Sequence, residues 1–135
     1  MSTAIFWPMM AQVLLTYAVY LLVSKRRIGA VKAGLATPSD YKVPFVEPEP
    51  SAAVARNLVN QFELPVLFYA ACLALYVTGG AGTAAVAVAW AFVLARAAHC
   101  YIHVSSNRVR LRRQSFIVSL LLNLVQWVML AIHII

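Results

Sequence analysis

What most constrains this chain is a set of four apolar stretches, each long enough to cross a bilayer. They cover about residues 4–23, 52–78, 83–105 and 114–135. An α-helix rises about 1.5 Å per residue, so about twenty apolar residues span roughly 30 Å of hydrocarbon. Composition agrees with this reading. Of the 135 residues 63% are hydrophobic and 11% are charged, against about 25% charged in an ordinary soluble domain. The expected fold is an all-α integral membrane domain over residues 1–135, a four-helix bundle with connections at 24–51 and 106–113.

The net charge of +7 is unevenly placed. A nucleic-acid binder can be equally basic, but it needs a soluble basic face. Here the cations flank apolar spans. No Lys or Arg precedes the first span and "SKRR" follows it, the reverse of a secretory signal, so this helix is expected to be retained. Lys25, Arg26, Arg27, Lys32 and Lys42 fall in the first connection, and Arg108, Arg110, Arg112 and Arg113 in the third. The turn "GGAG", residues 79–82, carries no charge. The positive-inside rule puts the two basic connections in the cytoplasm and both termini outside. Within the first connection, "EPEPS" ends the polar stretch and offers Ser51 as a helix N-cap. Pro65 lies inside the second span and is expected to kink it. Cys72 and Cys100 sit within apolar spans and form no CxxC pattern, so they read as small buried hydrophobes.

Ionisable residues inside a membrane are expensive and face a bundle interior or a wet cavity. Arg56, Asn60 and Glu63 enter the second span at positions i, i+4 and i+7, which share one face of a continuous helix. Arg96, His99 and His103 share a face at the end of the third span. With the proposed topology, both sets reach the cytoplasmic leaflet, where the basic connection before span four also arrives. Glu63 is expected to pair with Arg96. One reading is structural, with these groups only binding helices together. The other is a cationic cleft lined by Arg56, Arg96, Arg108 and Arg112, suited to an anionic ligand because Arg pairs bidentately with carboxylate. His99 and His103 have metal-ligand spacing, but no acidic or thiolate partner completes a set at obvious spacing, so no metal is expected.

The stretches "RNLVNQFELPVLFY" and "RAAHCYIHVSSNRVRLRRQSF", set among four short spans, resemble the MAPEG family of membrane-associated proteins in eicosanoid and glutathione metabolism. The resemblance covers nearly the whole chain. It implies a homotrimer of four-helix subunits, with glutathione as co-substrate bound between neighbours near the cytoplasmic face. It also implies glutathione contacts for Arg56, Asn60, Glu63, Arg96, His99, His103 and Arg108, and a thiolate-adjacent role for Arg112. A nearby guanidinium favours thiolate over thiol, and the thiolate is the nucleophile. The sequence departs from glutathione-using members in three places. His103 and Phe116 stand where those members carry tyrosines, and Arg113 stands where one branch carries a small hydroxyl residue. Two functions follow from the resemblance. One is a glutathione-dependent transferase or peroxidase acting on lipophilic electrophiles. The other is a non-catalytic lipid-binding or scaffold protein of the same build. The Ala/Val-rich helices and the lack of an eukaryotic retention signal fit a bacterial inner membrane.

The topology is testable by cysteine-accessibility labelling. Cysteines introduced in the turn 79–82 are expected to react from the non-cytoplasmic side, and those in the basic connections from the cytoplasmic side. Labelling of that turn from the cytoplasm alone would reverse the orientation.

Overall fold

The structure, a computed structural model, describes residues 3–43 and 46–135. Those residues form five α-helices and two short 3-10 turns, without a strand. The helices are α1 (Phe6–Lys32), α2 (Glu49–Asn60), α3 (Leu64–Val77), α4 (Thr83–Val104) and α5 (Val109–Ile134). Four segments are long and apolar enough to cross a membrane, with α2 and α3 together forming the second. Main packing partners are α4 with α5, α1 with α2, and α3 with α5.

Helix α1 runs nine residues past Val23, through "SKRRIGAVK". At about 1.5 Å per residue it is about 40 Å long, which exceeds the hydrocarbon by two turns. It ends in a Schellman motif. Gly34 takes φ +70°, and the Gly34 and Leu35 amides donate to the carbonyls of Val31 and Ala30. The positive φ is what requires glycine there. Helix α2 starts at Glu49, earlier than the expected cap at Ser51. Pro48 is its N-cap residue and Pro50 lies in the first turn, where a missing N–H costs nothing. Ser51 is thereby inside the helix, and its hydroxyl donates back to the Pro48 carbonyl.

The second span is broken rather than kinked. Residues 61–63 leave the helix, and Pro65 becomes part of the first turn of α3. Proline at 65 has no N–H for the carbonyl of residue 61, and its ring would crowd that carbonyl in a continuous helix. Arg56, Asn60 and Glu63 therefore do not share one helical face. Asn60 closes α2, and Glu63 is the exposed N-cap residue of α3.

Two apolar clusters flank this break. One joins Ile5, Leu64, Phe68, Leu75, Ala85, Ala89, Phe92 and Leu130. At its centre Phe68 and Phe92 stack with centroids 4.4 Å apart. The other joins Val19, Val23, Val54 and Cys100. Ala85 and Ala89 are wholly buried, and such small side chains let helices approach closely in a membrane. Between the clusters lies a polar layer. Gln12 Nε2 donates to Gln61 Oε1 at 3.0 Å, Gln61 Nε2 donates to Asn57 Oδ1 at 3.1 Å, and Asn57 Nδ2 reaches Cys100 Sγ at 2.9 Å.

Outside the apolar spans, Arg27 holds Glu47 by two hydrogen bonds of 2.9 and 2.6 Å. The same guanidinium lies 5.3 Å from the Tyr41 ring centroid. This is the one ion pair among the described residues, and it ties the first connection back onto α1. The hydrogen bond from Arg27 lowers the Glu47 pKa below the ordinary carboxylate value. A lowered carboxylate contributes stability above its unfolded pKa and loses it as pH falls through the folded pKa. Thermal denaturation is therefore expected to show a small loss, about 1 kcal/mol, as pH falls below the ordinary carboxylate range. Glu47→Gln should remove that part of the pH dependence. An unchanged acid-side slope in this variant would show that the pair does not hold the connection.

Candidate functional site

The ends of α2 and α4 and the start of α5 meet around a cleft of about 230 Å³. Arg56 and Asn60 from α2, His99 and His103 from α4, and Val109, Arg112, Arg113 and Phe116 from α5 line it. Each helix presents its lining residues for a local reason. Residues 56 and 60, and residues 99 and 103, are i, i+4 pairs on one face. Helix α5 begins at Val109, five residues before the expected span, so Arg112, Arg113 and Phe116 sit in its first two turns. The chain reverses between α4 and α5 at Asn107, which takes φ +46°. Its amide donates to the Ile102 carbonyl at 2.8 Å. Asn tolerates this left-handed conformation better than most residues. Its side chain also accepts from Arg112 Nη1 at 2.7 Å, which sets the guanidinium at the cleft.

Hydrogen bonds define the imidazole tautomer at His99. Nδ1 lies 3.1 Å from the Arg112 carbonyl. A carbonyl only accepts, so Nδ1 carries a proton, and in the neutral ring Nε2 is then an acceptor. Asn60 Nδ2, 3.4 Å from that Nε2, is its donor. The same amide lies 3.5 Å from His103 Nδ1. The two imidazoles meet edge to face at 5.7 Å, and Phe116 packs on His99 at 5.9 Å. Asn60 thus links both histidines on the floor of the cleft, while three guanidiniums surround the rim. Arg56 and Arg113 are exposed and Arg112 is half-buried.

Of the residues singled out from the sequence, Arg56, Asn60, His99, His103 and Arg112 come together. Glu63, Arg96 and Arg108 do not line the cleft. Arg108 is the exposed N-cap residue of α5. Glu63 is exposed beyond the helix break and makes no ion pair with Arg96. The expected Glu63–Arg96 pair is replaced by a different bond. Arg96 is wholly buried, and its Nη2 donates to the Asn60 carbonyl at 2.9 Å. Its Nε and Nη1 have no hydrogen-bond partner among the described residues. Arg96 therefore lies behind the cleft and supports Asn60 from below. Sequence reasoning missed Asn57, Gln61 and Gln12, the buried polar layer next to this support. The usable signal was their polarity within apolar spans. It missed Val109 as a lining residue because that position read as part of a loop.

A family model for the MAPEG family matches residues 5–132. No curated protein and no solved structure matches the chain. With 128 of 135 residues inside the match (132 − 5 + 1), the chain belongs to the MAPEG family.

The geometry separates Asn60 from Glu63. Asn60→Ala removes the donor shared by two buried imidazole nitrogens, and an unsatisfied buried polar group costs about 1–3 kcal/mol. Glu63→Ala removes an exposed side chain that makes no ion pair among the described residues and acts on Arg96 only through space, so it is expected to change stability by less than about 0.5 kcal/mol. Denaturation of both variants in a mild detergent measures the difference. Equal losses would mean that Glu63 has a buried partner.

Proposed function

Because the chain is a MAPEG protein, we propose that the cleft binds glutathione and that the protein is a glutathione-dependent transferase or peroxidase for lipophilic electrophiles. The observation that carries this reading is the placement of Arg56, Arg112 and Arg113 around one small cleft next to two imidazoles and the Asn60 amide. Glutathione has two carboxylates, and each is a bidentate partner for a guanidinium. The donor set therefore fits the tripeptide. The cleft of a single chain, about 230 Å³, is smaller than the roughly 300–1,000 Å³ usual for ligand pockets. That supports a site completed by a neighbouring copy in a homotrimer, as the family resemblance implies.

The roles of the residues follow from chemistry. Arg112 is the group assigned to the sulfur. Its Nη1 is held by Asn107, which leaves other N–H groups to face a ligand. A guanidinium next to a thiol favours loss of the proton and so raises the fraction of the nucleophilic thiolate. Arg56 and Arg113 hold carboxylate. His99 and His103 offer flat faces and ring nitrogens to the peptide. Bound there, glutathione would supply the sulfur that bonds to an electrophilic carbon as chloride leaves, or, with a second glutathione, would reduce a lipid peroxide to an alcohol and water while the two thiols become a disulfide. Apolar co-substrate reaches the cleft laterally from the bilayer, because the helices that carry it are membrane spans.

A second reading is a non-catalytic binding protein of the same build. Phe116 favours it, since this side chain lines the cleft and has no hydroxyl to donate to a sulfur.

Isothermal titration with glutathione, followed by thiolate absorbance in the ultraviolet and turnover with a chlorinated aromatic acceptor, tests the proposal. Arg112→Ala is expected to lower turnover on the order of tenfold or more at neutral pH, since one pKa unit is about 1.4 kcal/mol. Affinity for glutathione should fall less, because Arg56 and Arg113 remain. Full turnover by this variant would remove Arg112 from the role. Glutathione binding without thiolate absorbance or turnover would leave the binding-protein reading in its place.

A further inference from the structure

A second cleft, separate from the first, lies where α1 leaves the apolar zone. It is a groove of about 370 Å³ whose walls include Leu22, Lys25, Arg26, Gly29, Leu35 and Pro50. We propose that this groove is a specific site for an anionic phospholipid, with Lys25 and Arg26 pairing with the headgroup phosphate and the apolar walls taking the glycerol and first methylenes. The proposal is independent of glutathione.

Depth is the first argument. Lys25 and Arg26 follow directly on the apolar run that ends at Val23. Helix α1 is about two turns longer than the hydrocarbon, so these residues fall at headgroup level. Charge is the second. No carboxylate lines the groove. The neighbouring cation, Arg27, is neutralised by Glu47, but neither Lys25 nor Arg26 has an ion-pair partner among the described residues. Two uncompensated cations beside aliphatic walls match an amphiphile that carries one phosphate.

The groove is also built. Leu35 is fixed by the hydrogen bond from its amide to the Ala30 carbonyl, yet its side chain is 68% exposed. A leucine on a fixed backbone with most of its surface uncovered suits an external apolar contact. Gly29 gives the most direct indication. It lies within α1, where glycine costs about 0.5–1 kcal/mol relative to Ala. Its φ is not positive, and a Cβ added there would meet nothing within 4 Å. Neither backbone conformation nor packing within the chain calls for a glycine. Its missing side chain keeps the groove open between Lys25, Arg26 and Leu35.

The test is native mass spectrometry of the full-length protein released from mild detergent. The probe is an equal mixture of phosphatidylglycerol and phosphatidylcholine with the same acyl chains. The wild type is expected to retain phosphatidylglycerol in preference. Replacing both cations, Lys25→Gln with Arg26→Gln, should weaken retention roughly 25-fold, about fivefold for each lost charge near an anionic lipid. Gly29→Leu should abolish it while leaving the charges in place, and glycine-to-leucine in a helix favours folding. Lys32→Gln removes a charge that does not line this groove and should keep the preference. Equal retention of the two lipids, or an unchanged preference in the Lys25/Arg26 variant, would overturn the proposal. Absence of bound lipid in the wild type would also do so. Displacement of phosphatidylglycerol by excess inorganic phosphate would assign it to free phosphate instead.

Discussion

The hydrogen bond from Arg96 to the Asn60 carbonyl is the contact on which the polar half of this molecule depends. In a continuous helix, that carbonyl would accept from the amide four residues on. Pro65 prevents the helix from continuing through residues 61–63, and the break leaves the Asn60 carbonyl without that amide. A carbonyl without a partner in a membrane costs several kcal/mol. Arg96, on a different helix, supplies the donor at 2.9 Å. A buried guanidinium would be unfavourable alone, and a bare carbonyl would be unfavourable alone. Each gives the other a charge-assisted bond, and the break in one helix becomes tied to the register of another.

The same break organises packing on both sides. Phe68 and Phe92 stack in one apolar cluster, and Val19, Val54 and Cys100 form another. Between them Gln12, Gln61 and Asn57 form a chain of hydrogen bonds across α1, α2 and α4. Apolar contacts alone discriminate weakly between helix registers in lipid, because the tails are as apolar as the side chains they replace. A buried amide chain is directional. Sliding α1 by one turn against α2 would separate Gln12 Nε2 from Gln61 Oε1 and leave that donor and that acceptor without each other.

The cleft is the outer face of this arrangement. Asn60 uses its carbonyl inward, toward Arg96, and its side-chain amide outward, toward His99 and His103. The first turns of α5 close over it, anchored by the bond from His99 to the Arg112 carbonyl. One residue at a helix end thus connects the support of the fold to the lining of the cleft. Substitutions at Arg96 would reach the cleft through Asn60 without touching anything bound there.

Membrane character, the number of spans and the family were legible in the sequence, because apolar length and charge placement are properties of local segments. The joining of Arg56, Asn60, His99, His103 and Arg112 was legible too, through helical spacing and the shared level of three segment ends. The partner of Arg96 was not. Opposite charge made Glu63 the evident choice, but charge says nothing of direction, and the break at residues 61–63 places Glu63 in the open. The start of α5 was set too late for a similar reason. Four arginines in seven residues read as a loop, while arginine is a good helix former once its charge can stay at the surface. Sequence by itself determined which segments must leave water. Only the tertiary structure decided which polar atoms they bring to meet, because a hydrogen bond depends on distances between helices that no single segment encodes.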